Sequence, residues 1–136
     1  MENEEFDSYI KAGKIAKEIK KFAKGLVRPG MKLYDIAVAI DNKIEELGAK
    51  PAFPVNLSLN EIAAHFTPDS SDEVVAKGIL KVDIGVHVNG FIADTAISID
   101  LTENGEYKEM IELNEKILKN ILNKIEPGSE VRVIGD

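Results

Sequence analysis

Residues 79–101 constrain this chain more than any other part of it. They carry two strand lengths of alternating apolar and small or polar residues, interrupted only by Asn89-Gly90. That dipeptide is favoured in two-residue hairpin loops because both of its positions accept positive φ. With the loop fixed, pairing follows by counting: Val88 opposite Phe91, Gly85 opposite Asp94, Asp83 opposite Ala96. Side chains alternate between faces along a strand. One face therefore holds Ile84, Val86, Val88, Phe91, Ala93, Thr95, Ile97 and Ile99, apolar except for Thr95. The other holds Asp83, Gly85, His87, Ile92, Asp94, Ala96 and Ser98. A face that apolar has to be covered, and the flanking sequence offers helices.

Over residues 5–27, Phe6, Ile10, Ile15, Ile19, Phe22, Ala23 and Leu26 recur at close to helical spacing among lysines, which predicts an amphipathic helix ended by Pro29-Gly30. Leu33, Ile36, Ala37, Ile40 and Ile44 predict a second, closed by Gly48. Residues 51–65 read as extended and 67–72 as a turn-rich loop. Met110, Ile111, Leu113, Ile117, Leu118, Ile121, Leu122 and Ile125 predict a third helix. The expected fold class is α+β: two helices packed on an antiparallel sheet that contains the long hairpin, plus a third helix.

The junction after the first helix has an echo. Val27, Pro29-Gly30, Leu33 and Ile36 repeat as Ile125, Pro127-Gly128, Val131 and Ile134, offset by 98 residues and in both cases after an amphipathic helix. We read this as a duplication, with residues 1–104 forming one αβ repeat and residues 105–136 opening a second, in which a fourth helix should begin.

Two aspartates in mid-strand are unusual, because Asp is depleted in strands. Asp83 and Asp94 are diagonal neighbours on one face, roughly 7–8 Å apart at the backbone, a separation from which side chains can converge on two metal ions about 3.5–4 Å apart. They are either surface acids on a wet hairpin face or metal ligands. Uncompensated carboxylates repel, and a divalent cation relieves that. The chain has no cysteine, so a metal would bind only through Asp, Glu or His. Two acids are half a site, since such a metal pair takes roughly four to six protein donors. Of the two histidines, His65 reads as a surface residue or a substrate-facing acid/base; His87, beside the turn, reads as an exposed turn-proximal residue.

The net charge of −7, from 24 acids and 17 bases, argues against a nucleic-acid partner. No apolar run approaches the ~18 residues of a membrane span, and a cytoplasmic location is the expectation.

Three segments in order, 53–68 with His65 near its end, Lys81-Val-Asp83-Ile-Gly85 and Gly90-Phe-Ile-Ala-Asp94-Thr-Ala96, resemble the type-2 methionine aminopeptidases in their archaeal form. The resemblance covers nearly the whole chain and implies half of a pita-bread fold, in which two αβ halves are related by a pseudo-twofold axis. It implies that Asp83 and Asp94 are ligands to two divalent ions (Co, Mn, Fe or Zn), with Asp94 bridging. It further implies that His65 contacts substrate and assists at the scissile amide, and that Phe53 lines the pocket for the methionine side chain. The substrate would be a peptide or nascent-protein amino terminus beginning with Met. The family's remaining ligands, a histidine and two glutamates, have no counterpart in these 136 residues, so the chain alone is expected to be inactive. Two other readings are a homodimer that binds metal as a non-catalytic unit or hydrolyses weakly, with a chain that supplies the second half as the alternative partner, and a scaffold protein on the same fold. Retention of both aspartates disfavours the scaffold.

Overall fold

The computed structural model describes residues 3–135. Its elements are α1 (Asn3–Leu26), α2 (Leu33–Glu46), β1 (Lys50–Pro51), β2 (Asn56–Leu59), β3 (Ile79–Val88), β4 (Phe91–Asp100), α3 (Lys108–Leu122) and a short 3₁₀ turn, Val131–Ile134. This is the expected α+β arrangement. Strand β3 is central: β4 runs antiparallel along one side of its whole length, and β1 and β2 pair in succession along the other. The hairpin register is the counted one, with Val88 opposite Phe91, Gly85 opposite Asp94 and Asp83 opposite Ala96. Asn89 and Gly90 have φ of 53° and 86°, the pair of positive values that a type I′ turn requires.

Helices α1 and α2 cover one face of the sheet only. Leu80, Val82, Ile84 and Val86 are buried beneath them, along with Ile36, Ile40 and Ile44 of α2. In α1 the seam differs from the one expected. Ser8, Ala12, Ile15, Ala16, Ile19 and Ala23 are buried, whereas Phe6 and Ile10 are 51% and 44% exposed. Small residues let the helix approach the strands closely, so the seam sets Ser8, Ala12, Ala16 and Ala23 around Ile15 and Ile19 and leaves Phe6 and Ile10 outside. α2 ends in a Schellman motif, in which Gly48 (φ 74°) donates to Glu45 O and Ala49 donates to Ile44 O.

Residues 51–65 are extended only in part. The chain leaves β2 through Asn60 (φ 46°) and reaches His65 in the left-handed region (φ 65°), so the segment turns back on itself. Phe66 O accepts from Leu57 N–H (2.7 Å), and Phe66 N–H donates to Ser58 Oγ (3.3 Å). This brings His65 beside β2.

Both Pro-Gly pairs form the same turn. Met31 N–H donates to Arg28 O (3.3 Å) and Ser129 N–H to Glu126 O (3.0 Å), with Gly30 and Gly128 at φ 84° and 93°. Pro followed by a positive-φ Gly with this bond is a type II turn. After the first turn comes α2; after the second, among the described residues, comes only the 3₁₀ turn. Asp100 anchors the entry to α3 by accepting from Thr102 N–H and Oγ1–H and from Tyr107 N–H. α3 buries no residue, and Met110, Leu113, Ile117, Leu118 and Leu122 are exposed.

The core thus excludes α3. Ile40→Ala is expected to lower unfolding free energy by about 2–5 kcal/mol, while Ile117→Ala shifts it by no more than about 0.5 kcal/mol; urea titration checks both.

Candidate metal centre

The face of the sheet that the helices leave uncovered carries the chemistry. Across it, Asn56 of β2, Asp83 of β3 and Ala96 of β4 stand in one row, and Gly85 and Asp94 in the next. Directly paired residues share a face, so both acids project from the same side. Asp83 is half-buried and Asp94 exposed. Among the described residues neither forms a salt bridge. Lys81 lies two residues from Asp83 on the same face, but its ammonium donates to Asn60 O (2.6 Å).

Burial pushes the Asp83 carboxyl above the usual carboxylate range. The charge of Asp94 and a hydrogen bond with it add to the rise, while the charge of His65 and the Ile84 N–H pull the other way. Of these causes, the two that come from Asp94 put the carboxyls within reach of one another, and the contribution of His65 puts its ring near Asp83. Exposed His65 thus belongs to the acids' neighbourhood. His87 shares their face too, but its Nδ1 accepts from the Gly90 N–H (3.2 Å), which makes it part of the turn.

Gly85 and Ala96, the cross-strand partners of the acids, are small enough to leave space over them. At Gly85 that space is filled: a Cβ there would lie 2.2 Å from Phe53 Cε1. The missing side chain seats the Phe53 ring against the sheet, two residues along β3 from Asp83 on the same face and opposite Asp94. Phe53, His65, Asp83 and Asp94, from four separate stretches of sequence, therefore meet on one face.

One participant escaped the sequence reading. Asn56 is 9% exposed, and its Nδ2 donates to Pro54 O (2.8 Å) and Thr67 Oγ1 (2.9 Å). Its signal was a polar residue alternating with leucines in a short strand, Asn56-Leu57-Ser58-Leu59, since buried polar groups are there to be bonded. Among the described residues no group of three or more Asp, Glu, His or Cys is arranged to hold a metal. The donor set fits a divalent cation as a part of its shell: two hard oxygen ligands whose mutual repulsion a cation removes.

An α+β layer with a doubly acidic open face is the pita-bread arrangement, and solved structures agree. The methionine aminopeptidase of Thermotoga maritima superposes with a TM-score of 0.80 at 25% identity, over 94% of this chain and 55% of that one. The chain belongs to metallopeptidase family M24, whose sequence model matches residues 7–136. It is 42% identical to the methionine aminopeptidase of Methanocaldococcus jannaschii over 99% of its own length, and 48% identical to that of Thermococcus onnurineus over 97%. It spans 46% and 45% of those two proteins, about half their length.

Two outcomes are expected. Gly85→Ala should cost about 1–3 kcal/mol of stability through overpacking, most of which disappears in a Phe53→Ala background; a double-mutant cycle measures this. Asp83→Asn should act oppositely with and without metal. A raised carboxyl stabilises the fold at low pH, and that contribution is lost as pH rises through its folded value. The metal-free variant should therefore melt no lower than the wild type at neutral pH, while its Mn²⁺ affinity falls by at least about tenfold, the loss that even an outer partner's removal produces.

Proposed function

We propose that this chain carries the first half of the dinuclear site of a metal-dependent aminopeptidase that removes methionine from the amino terminus of nascent proteins in the cytosol. The observation that carries the reading is the meeting of Asp83, Asp94, His65 and Phe53 on the one face of the sheet without a helix. Its relatives' names supply the reaction.

In this reading Asp83 and Asp94 hold two divalent ions; Mn, Fe, Co and Zn all accept oxygen and imidazole donors, and availability selects among them. When bound, the ions supply a nucleophilic water near neutral pH and polarise the substrate carbonyl. His65 hydrogen-bonds the scissile amide as its geometry becomes tetrahedral, stabilising charge that develops only in the transition state. The Phe53 ring, braced on Gly85, packs against the unbranched thioether of the terminal methionine. Residues 1–104 form one αβ repeat and residues 105–136 open the next, a division supported by the matching type II turns at Pro29-Gly30 and Pro127-Gly128, although its outer bounds at residues 1 and 136 lie outside the described residues. The family resemblance assigns the remaining histidine and two glutamates to the second repeat.

A second reading has a specific observation behind it. Met110, Leu113, Ile117, Leu118 and Leu122 expose an apolar stripe on α3, and such surfaces mark association. In that reading the half-domain self-associates and binds metal without catalysis, or pairs with a chain that supplies the second half.

Calorimetry with Mn²⁺ or Co²⁺ on the wild type and on Asp94→Ala tests the site. Binding by the wild type with a large loss in the variant is expected; absence of binding in both would sink the metallopeptidase reading. The 136-residue chain by itself should release no methionine from a Met-peptide, as it supplies fewer ligands than the roughly four to six a metal pair takes. Robust metal-dependent release would overturn that half-site account.

A further inference from the structure

We propose that Asn56 is a positioning residue, a clamp that fixes His65 and Phe53 relative to one another beside Asp83. Two separate loops deliver these side chains. Phe53 lies just before β2, and His65 arrives after the chain has turned back at Asn60. Neither loop is held in place by the sheet's own ladder at the residue that matters. The Asn56 carboxamide bridges them, with one N–H donated to Pro54 O (2.8 Å), next to Phe53, and the other to Thr67 Oγ1 (2.9 Å), two residues past His65.

Three features make this arrangement specific. Asn56 is more than nine-tenths buried, so its bonds do not compete with water. It is the direct cross-strand partner of Asp83, so the clamp is referenced to the acid itself. His65 sits at φ 65°, a conformation that a side-chain-bearing residue keeps only when its surroundings impose it. The bonds around it do so: Leu57 N–H to Phe66 O, Phe66 N–H to Ser58 Oγ, and Asn56 to Thr67. Only a primary carboxamide of this length offers two coplanar donors to two acceptors. Aspartate would offer no donor there when ionised, and an apolar residue would leave both acceptors unmet.

The inference takes from the metallopeptidase reading what His65 does, but not where it is held, so its test has an arm without metal. Truncating buried Asn56 risks unfolding; the exposed far end of the bond is the better target. Thr67→Val removes the acceptor at constant shape, and Thr67→Ser restores it. In metal-free protein, exchange of the Leu57 amide should speed up by about tenfold in Thr67→Val, the worth of one hydrogen bond, with the β3 amides unchanged and with recovery in Thr67→Ser. In Mn²⁺-loaded protein, paramagnetic broadening of the His65 imidazole proton should fall several-fold in Thr67→Val at unchanged Mn²⁺ affinity, and return in Thr67→Ser. A merely structural threonine would leave that broadening where it was, or would lower affinity together with it. Unchanged exchange and unchanged broadening in Thr67→Val would overturn the clamp. Failure of the wild type to bind Mn²⁺ would sink the metallopeptidase reading instead, and the exchange arm would still decide the clamp.

Discussion

The type I′ turn at Asn89-Gly90 is the constraint on which the other features rest. Because strand side chains alternate with a period of two, a slip of one residue in the β3–β4 pairing would carry every side chain of one strand to the opposite face. Asp94 would then point under α1, an unpaired carboxylate in an apolar layer, while Ala93 and Thr95 turned to solvent. The two positive φ values fix the loop at two residues, and with it the register. The turn is also tied down: Asn89 Nδ2 donates to Ser8 Oγ (3.2 Å), and the Tyr9 and Phe91 rings meet edge to face at 5.0 Å. The element that sets the register is thereby docked on the helix that covers the result.

From that register the sheet acquires two faces with opposite physics. Under the helices, contact is close because the α1 seam is built from alanines and serine, and close packing favours a single rigid arrangement. On the open face two carboxyls oppose each other, a phenylalanine lies flat on a glycine, and a histidine keeps a left-handed backbone. The opposed carboxyls and the left-handed histidine cost stability. Concentrating such costs on the one face left uncovered is what a site selected for chemistry looks like, since strained and electrostatically opposed groups persist where function requires them.

The two acids and their shared face were legible in the sequence because the hairpin reduces a three-dimensional question to counting from a fixed loop. The α2 stripe was legible for a similar reason, since a single 3.6-residue period matches its buried set. Other features depend on contacts between distant segments and leave no local trace. That the ring at Phe53 fills the space above Gly85 follows from β1 pairing beside it, not from either residue's neighbours. The α1 seam was legible at Ile15, Ile19 and Ala23 but not at Ser8, Ala12 and Ala16, because apolar spacing passes over the small residues that close approach to a sheet favours. The Asn56–Thr67 link joins positions that read only as polar interruptions until the reversal at Asn60 brings them together.

The same physics bears on the third helix. Moved back by 98 residues, Met110, Leu113, Ile117 and Ile121 of α3 fall on Ala12, Ile15, Ile19 and Ala23, the seam by which α1 grips its sheet. Two of the four, Met110 and Ile121, are larger than the alanines they fall on; α3 packs beside the outer strand β4, and its Glu115 faces Lys24 of α1 across 3.9 Å. An exposed ion pair of that length contributes little. The favourable free energy latent in the α3 stripe is therefore apolar burial, roughly 25 cal/mol per Å² of surface removed from water. Under the association reading, this stripe is the surface that a partner would cover. Met110 and Ile121, where α1 has Ala12 and Ala23, would then hold α3 further from that partner than α1 stands from its sheet.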